Sequence, residues 1–268
     1  MKRPKLILVG AGPGDAELIT LKGIKALQQA DVVLYDALIN RELLDHAPRA
    51  IKIFVGKRKG FHAYSQDEIN RLIVRNAFAH GTVVRLKGGD PFIFGRGTEE
   101  TDYAEGFGLE TEVVPGITSS IAVPARQGIS LTKRNVAESF WVVTGTTSSG
   151  KLSGDIRLAA QSTATVVILM GMGKLGEITE HFRNAGKGEV PVAVIQNGTT
   201  VNENLGCGTV NTIGDIVRDK KLGSPAIIVI GEVVRESTRL KHLYEAVNVL
   251  PEQEKYDDLP ERITLFKR

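Results

Sequence analysis

Short apolar runs alternate with segments of helical periodicity along most of this chain, and this alternation limits the folds that it can adopt. Lys5–Val9, Val32–Tyr35, Ile51–Val55 and Thr82–Leu86 each have the length and composition of a buried strand. A helix is predicted between the first two, from about Leu18 to Ala30. Strands that alternate with helices at this spacing favour a mostly parallel sheet with flanking helices. The sequence therefore predicts an α/β fold.

Capping signals mark further helices in the first half. Ser65 and Glu68 form a capping box that opens a helix with an apolar stripe, and Asn40 is placed to cap a short helix. Four more strands are predicted in the second half: Ser139–Thr144, Thr165–Leu169, Val192–Ile195 and Pro225–Ile230. Between the halves, residues 122–135 contain Pro124 and Gly128, which is typical of a link.

The most informative loop follows the strand Thr82–Leu86 and contains Gly88, Gly89, Asp90 and Pro91. Adjacent glycines allow positive φ and let a ligand approach bare backbone. Pro91 restricts Asp90 to an extended conformation, which gives its carboxylate a defined direction. Bulky apolar residues and cations complete the loop. Because ligands bind at the carboxyl ends of strands in open α/β sheets, we predict a ligand site here.

Two other turns allow alternative interpretations. Gly10-Ala11-Gly12 follows the first strand, as in a dinucleotide-binding fingerprint, but the glycine spacing differs and Pro13 removes an amide donor. A nicotinamide or flavin dinucleotide is therefore disfavoured. The hydroxyl residues of 115–120 could cap a helix, contact a ligand, or do both.

Composition narrows the function classes. Among 268 residues the net charge is only +3, and no dense basic run argues for nucleic acid. The one cysteine, Cys207, fits a reducing compartment, and the apolar run Leu6–Val9 is too short for a signal peptide or membrane span. We therefore expect a cytoplasmic protein with neither nucleic-acid nor membrane partners. The scattered histidines predict no metal site.

Several motifs together resemble the uroporphyrinogen-III C-methyltransferases of the tetrapyrrole (precorrin) methylase superfamily. In the first half the motifs are VGAGPGD at Val9–Asp15, VVLYD at Val32–Asp36, VGKR at Val55–Arg58, RLKGGDPFIFGRG at Arg85–Gly97 and VVPGITS at Val113–Ser119. In the second half they are LTKR at Leu131–Arg134, Met170–Gly171, NGT at Asn197–Thr199 and SPAIIVIGEVV at Ser224–Val234. The similarity covers about residues 5 to 234.

The resemblance implies a two-domain α/β fold, each domain a mixed, mostly parallel sheet with flanking helices. The expected units are an N-terminal domain over residues 1–120, a linker over 121–135, a C-terminal domain over 136–234 and a peripheral tail over 235–268. It also implies S-adenosyl-L-methionine (SAM) as cofactor, S-adenosyl-L-homocysteine as product, and a homodimer. The implied reaction methylates uroporphyrinogen III at C-2 and C-7, giving precorrin-2 via precorrin-1, for sirohaem or cobalamin synthesis.

Site residues follow from the same resemblance, position by position. The cofactor-binding set is Pro13, Gly88, Gly89, Asp90, Ile93, Thr118, Ser119, Met170 and Gly198. The proposed acid/base pair is Asp36 and Lys57, although from the residues alone Asp36 could instead cap a helix or pair with a cation, and Lys57 could be a solvated loop lysine. Thr98 and Lys133 depart from the family's usual glycine and histidine.

A substrate ringed by carboxylates requires cations, and arginine binds carboxylates in bidentate fashion. The substrate-binding set comprises Arg58, Arg85, Lys87, Arg96, Glu99 and Arg134. The cations of this set are expected in loops that converge on an electropositive cleft, with Arg85, Arg96 and Arg134 pointing into it. A methylase of a later precorrin, or a SAM-binding regulator without catalysis, are the alternative functions.

Overall fold

The structure is a computed structural model that describes residues 3–56 and 64–241. Two five-stranded sheets with flanking helices form its framework. The α/β prediction is confirmed. Lys57 and Arg58, and most of the predicted tail, lie outside the described residues. In the part that is described, no helix is long and apolar enough to cross a membrane.

The first sheet is formed by the first five strands in the order β3-β2-β4-β1-β5, and every pairing in it is parallel. Its strands are β1 (Lys5–Gly10), β2 (Val32–Tyr35), β3 (Ile51–Phe54), β4 (Thr82–Lys87) and β5 (Glu110–Val114), and its helices are α1 (Leu21–Gln29), α2 (Gln66–His80) and α3 (Gly97–Gly106). Parallel pairing places the carboxyl ends of all five strands at one edge.

Capping explains where the helices begin. Ser65 Oγ accepts from the Glu68 amide at 3.2 Å and Glu68 accepts from the Ser65 amide at 2.7 Å, which confirms the capping box of α2. Asn40 caps a short 3₁₀ helix, Arg41–His46, as predicted. The helix predicted from about Leu18 to Ala30 is confirmed, but it begins three residues later than predicted. Thr20 accepts from the Gly23 amide and starts α1 at Leu21, after a separate 3₁₀ turn at Ala16–Leu18.

The second sheet has the order β6-β7-β10-β8-β9. Its elements, in chain order, are α4 (Ser119–Arg126), β6 (Phe140–Thr144), α5 (Asp155–Gln161), β7 (Thr165–Leu169), α6 (Leu175–Asn184), β8 (Pro191–Gln196), β9 (Asn204–Thr209), α7 (Ile213–Asp219) and β10 (Ala226–Ile230). Only β6 and β7 pair in parallel, and the other three pairings are antiparallel. The sheet is mixed, as expected, but it is not mostly parallel.

Strand β9 was not predicted because its sequence, NLGCGT, lacks an apolar run. Its glycines are explained by the helix packed on them. A Cβ on Gly208 would lie 2.5 Å from Ile216 Cδ1, and one on Gly206 would lie 2.9 Å from Leu222 Cδ1. The apolar surface that completes this strand is therefore supplied by α7 and the residues after it.

Helix α4 follows the last strand of the first sheet and packs on the second. Its Val123 belongs to the apolar cluster that contains Val167 and Ala193 of the second sheet. Because α4 spans residues 119–126, the first residues of the predicted link are helical, despite Pro124. The division of the chain at residues 120 and 135 stays a prediction.

Candidate functional site

Loops that follow β1 and β4 are joined by backbone hydrogen bonds at the carboxyl edge of the first sheet. The Gly12 amide donates to Gly89 O at 3.2 Å and the Gly89 amide donates to Gly12 O at 2.7 Å. The Ala11 amide also donates to Lys87 O at 2.7 Å. The two glycine-rich motifs of the sequence therefore form one continuous backbone surface.

The loop after β5 lies against the same surface with no room for side chains. A Cβ on Gly10 would lie 2.4 Å from Gly116 N, and one on Gly116 would lie 2.3 Å from Gly89 O. Real Cβ atoms do not approach backbone so closely. Glycine at positions 10 and 116 is therefore a packing requirement, which the sequence analysis did not identify.

Asp90 ties the loops after β4 and β5 together. Its Oδ1 accepts from the Phe92 amide at 2.8 Å and its Oδ2 accepts from the Gly116 amide at 3.1 Å. The carboxylate therefore has the defined direction predicted, but both oxygens are engaged by backbone. Gly89, at φ 67°, faces only backbone, because a Cβ there would lie 3.9 Å, an ordinary contact distance, from Ser119 N and Thr118 Cα.

Gly89 thus faces the N-terminus of α4. Thr118 is the N-cap, and its hydroxyl accepts from the Ser120 amide at 3.3 Å and lies 3.0 Å from Ser120 Oγ. The capping interpretation of the 115–120 turn is confirmed. Helix N-termini carry unpaired amides and a partial positive charge, which suit the negatively charged or polar groups of a ligand.

The second half contributes the loops after β6, β7 and β8. Thr146 Oγ1 donates to Met170 O at 2.8 Å, and Met170, at φ 54°, has a half-exposed side chain. After β8, Thr199 Oγ1 accepts from the Asp15 amide at 3.2 Å, so this loop contacts the loop after β1. A Cβ on Gly198 would lie 2.3 Å from Val123 Cγ1, so the loop also packs on α4.

The structure thus places most of the predicted cofactor-binding residues on loops that border one another. Pro13 lies between Gly12 and Gly14, and a Cβ on Gly14 would lie 2.7 Å from Thr200 Cγ2 of the loop that contains Gly198. Ile93 is half exposed, as are its neighbours Phe92 and Phe94. Contact of any of these residues with a cofactor stays a prediction.

Glu203 is a site-supporting residue that the sequence analysis missed. Its Oε2 accepts from the Thr199 amide at 2.7 Å, and its Oε1 accepts from Gln127 Nε2. Arg126 Nε lies 3.7 Å from Oε2. Glu203 therefore connects the loop after β8 to the end of α4.

Beside the glycine loops lies a buried charge cluster, which consists of Arg85, Lys87 and Glu100 with Asp36 at its edge. Arg85 Nε donates to Glu100 Oε1 at 3.1 Å and Nη2 donates to Asp36 Oδ1 at 2.7 Å. Lys87 Nζ lies 2.9 Å from both Glu100 oxygens. Gln66 Nε2 also donates to Glu100 Oε1, at 3.2 Å.

Burial and neighbouring charges act differently on the two cations. Burial disfavours the charged form of Arg85, but Asp36 and Glu100 outweigh it and hold the pKa of the guanidinium above its ordinary value. For Lys87, burial and then the charge of Arg85 lower the pKa, and Glu100 offsets them only in part. The cluster thus pairs two cations with two carboxylates, and Glu100 is its central anion.

These contacts correct the expectation for Arg85 and Lys87. Both lie in strand β4 instead of a loop, both are buried, and both already pair with carboxylates of this chain. The side chain of Arg85 reaches the rim only through Asp36. The pairing of Asp36 with a cation, one of the alternatives for this residue, is observed. In the sequence, Arg85 and Lys87 interrupt an apolar run. This pattern could have indicated that a buried carboxylate pairs with them.

Arg96 and Glu99 differ from the cluster in being exposed. Arg96, at φ 58°, precedes α3, and its Nε and Nη2 donate to the two oxygens of Glu99 at 2.7 and 2.6 Å. The hydrogen bonds from Arg96 lower the pKa of the Glu99 carboxyl. Arg134 lies in an exposed turn between the bridged Lys133 and Ala137. No contact in the described part of the chain joins Arg85, Arg96 and Arg134 into one cleft surface.

Glycine-rich loops at the carboxyl edge of a parallel sheet, in contact with a loop of a second sheet, define a two-sheet α/β protein, and this edge is where open α/β sheets bind ligands. Among residues 3–56 and 64–241, no group of three or more His, Cys, Asp or Glu side chains could hold a metal ion. Residues 5–214 match the family model of the tetrapyrrole (corrin/porphyrin) methylases. The chain belongs to this family.

Similar proteins agree with that assignment. A uroporphyrinogen-III C-methyltransferase of Methanocaldococcus jannaschii is 48% identical over 233 residues, which cover 86% of this chain and 96% of that protein. A siroheme synthase of Escherichia coli is 44% identical over 234 residues, which cover 87% of this chain but only 50% of that protein. A crystal structure of uroporphyrin-III C-methyl transferase from Thermus thermophilus, complexed with S-adenyl homocysteine, has a TM-score of 0.75 at 39% identity and covers 87% of this chain and 99% of that chain.

Proposed function

We propose that this chain is a SAM-dependent C-methyltransferase that methylates uroporphyrinogen III at C-2 and C-7, giving precorrin-2 via precorrin-1. The observation that carries this proposal is the bare backbone around Gly89, where the loops after β1, β4 and β5 meet. The similarity to a uroporphyrinogen-III C-methyltransferase over 233 residues supports the same reaction.

The residues around Gly89 suit SAM. Partly exposed backbone at Gly88 and Gly89 and the hydroxyls of Thr118 and Ser119 offer donors and acceptors for its amino-acid and ribose groups. Pro13, Asp90, Ile93, Met170 and Gly198 complete the set that would hold it. Asp90 would act mainly by fixing the loops, because both of its oxygens already accept backbone amides. When bound, SAM supplies a methyl group on a sulfonium centre.

Asp36 is the candidate for receiving the proton that leaves the methylated carbon. It follows β2 at the rim, its side chain is 28% exposed, and Arg85 fixes one of its oxygens. A positioned general base contributes roughly 10²–10⁴-fold to a rate. Lys57, the other candidate, lies outside the described residues. Arg96 stays protonated at neutral pH and therefore suits substrate binding instead.

Arg96 and Arg134 are the described arginines that remain candidates for binding substrate carboxylates, since both are exposed. Phe92, Ile93 and Phe94 present half-exposed apolar surface on the loop after β4. Such surface suits the faces of a macrocycle, whereas cations suit its carboxylate rim. We also infer a homodimer and a cytoplasmic location, on the grounds of the family resemblance and the composition.

The test is methyl transfer itself. Purified protein with SAM and uroporphyrinogen III should produce a species that has gained two methyl groups, followed by mass and absorbance. Asp36→Asn should lower kcat by roughly 10²–10⁴-fold. Asp45→Asn, at an exposed aspartate on the neighbouring 3₁₀ helix, is the matched control and should not.

The second candidate function is methylation of a later precorrin. It is favoured by the structure of a cobalt precorrin-4 methyltransferase, CbiF, which has a TM-score of 0.76 at 29% identity. Turnover on a later precorrin but not on uroporphyrinogen III would select this candidate. Binding of S-adenosyl-L-homocysteine without turnover on any tetrapyrrole would instead select a regulator.

A further inference from the structure

Glu100 is a fully buried carboxylate on α3 that the proposed chemistry does not use directly. Its exposed fraction is 0%. Charged side chains are almost never fully buried unless they are paired, and a buried ion pair is weak evidence of a gain in stability. The partners of Glu100 indicate another reason for its position, because they lead from the interior to the rim of the site.

The guanidinium of Arg85 is held by three different acceptors. Nε donates to Glu100 Oε1 at 3.1 Å, Nη1 donates to Leu86 O at 3.1 Å, and Nη2 donates to Asp36 Oδ1 at 2.7 Å. Because the guanidinium is planar and its donors are in a fixed arrangement, the first two bonds determine where Nη2 lies. The position of the Asp36 carboxylate therefore depends on how the other end of Arg85 is held.

Glu100 is itself fixed from two elements. Lys87 of β4 contacts both of its oxygens at 2.9 Å, and Gln66 of α2 donates to Oε1 at 3.2 Å. Gln66 also donates to Asn70 Oδ1 at 3.0 Å. Exposure rises along the series, since the side chains of Glu100, Arg85 and Asp36 are 0%, 3% and 28% exposed. Of the three, only Asp36 reaches the surface to an appreciable degree.

We propose that Glu100 and Arg85 are positioning residues, which hold the Asp36 carboxylate in place for the reaction without touching substrate or cofactor. This inference rests on the proposed function through the role given to Asp36. The same geometry explains why Arg85 and Lys87 are not free cations for a substrate. Lys87 neutralises and orients Glu100, and Arg85 passes that orientation on to Asp36.

A double-mutant cycle tests the proposal. Arg85→Lys keeps the charge but cannot bridge three acceptors, and Glu100→Asp keeps the charge but shortens the anchor. Each should lower kcat by about 10²-fold, as expected for a reacting group that is misplaced by about 1 Å, and leave the Kd of S-adenosyl-L-homocysteine unchanged. In an Asp36→Asn background, Arg85→Lys should cost no further activity, because both changes act through one group. Arg75→Lys, on the exposed face of α2, is the control.

A crystal structure of Arg85→Lys with S-adenosyl-L-homocysteine gives a readout that does not depend on activity. The Asp36 carboxylate should move by more than about 0.5 Å from its wild-type position. An unmoved carboxylate, or equal losses of kcat with and without Asp36, would overturn the proposal. If wild-type protein methylates no uroporphyrinogen III, the proposed function fails, and the displacement of Asp36 still decides the positioning role. Glu100→Asp provides the same measurements if Arg85→Lys does not fold.

Discussion

The interiors of the two halves differ in charge. Helices and strands of the first sheet enclose Arg85, Lys87 and Glu100, whereas the buried polar side chains of the second sheet and its helices are hydroxyls, such as Thr165, among the residues that the structure describes. The ionisable group Cys207 lies buried in the second sheet as a thiol. The buried charged side chains therefore lie in the first half, beside Asp36, and the described interior of the second half contains none.

The two halves also differ in the directions of their strands. All strands of the first sheet are parallel, so the loops after β1, β4 and β5 meet at one edge. In the second sheet, β6 is parallel to β7, and β8 is antiparallel to β10, which is antiparallel to β7. Strands β6, β7 and β8 therefore run in one direction. Their carboxyl-end loops, which contain Thr146, Met170 and Gly198, therefore lie at one edge of a mixed sheet.

The largest effect is expected from a substitution that removes the central charge of the first half. Glu100→Gln would leave Arg85 and Lys87 in the interior with only Asp36 as a counter-ion. Loss of one partner of a buried ion pair costs about 3–5 kcal/mol, so the free energy of unfolding should fall by that amount, measured by urea denaturation. Its neighbour Glu99 pairs with Arg96 at the surface. Glu99→Gln should cost less than about 1 kcal/mol, since exposed pairs contribute little. Similar losses for both variants would contradict a difference between interior and surface.

A smaller effect is expected where the loop after β8 packs on α4. A Cβ on Gly198 would lie 2.3 Å from Val123 Cγ1, so Gly198→Ala should force the loop after β8 away from α4. Overpacking of this kind costs about 1–3 kcal/mol. We expect that loss in unfolding free energy and about tenfold weaker binding of S-adenosyl-L-homocysteine by calorimetry, since 1.4 kcal/mol corresponds to tenfold.

Two variants show whether this steric contact is responsible. Val123→Ala in the Gly198→Ala background removes both γ-carbons that crowd the new methyl group and should restore binding. Gly173→Ala places a methyl group where nothing lies within 4 Å and should leave binding unchanged. Weaker binding in the Gly173 variant, or no recovery in the double variant, would show that the contact between α4 and this loop does not cause the loss of binding.

Much of this arrangement could be predicted from the sequence, because its signals are local. The bounds of β2 and β7, the capping box of α2 and the glycine loop after β4 all depend on residues close together in the chain. Glu100 could not be placed, because its burial depends on how α3 packs against β4. The cations of β4 were therefore assigned to the substrate. Strand β9 was missed for a similar reason, since its apolar surface comes from α7.

The contrast between the two interiors also predicts opposite behaviour at alkaline pH. Burial, opposed weakly by the charge of Lys220, raises the pKa of Cys207 from 9.0 to about 12. The folded state therefore keeps a proton that the unfolded state loses above pH 9. Because stability falls with pH wherever the unfolded state binds fewer protons, the contribution of this thiol is complete below pH 9 and is lost progressively toward pH 12. For Lys87 the pKa is lowered, so its contribution changes in the opposite sense.

Cys207→Ala isolates the thiol from every other group that titrates in this range. Between pH 8 and pH 10 the free energy of unfolding of wild-type protein should fall by about 1.4 kcal/mol more than that of the variant. The reason is that pH 10 lies one unit above the ordinary thiol pKa, and each such unit corresponds to about 1.4 kcal/mol. The comparison uses the change with pH in each protein, so the small cavity that alanine leaves cancels. Lys87 titrates in both proteins and cancels as well. Parallel curves for the two proteins would mean that Cys207 ionises in the folded state, and that the interior of the second half tolerates charge as the first half does.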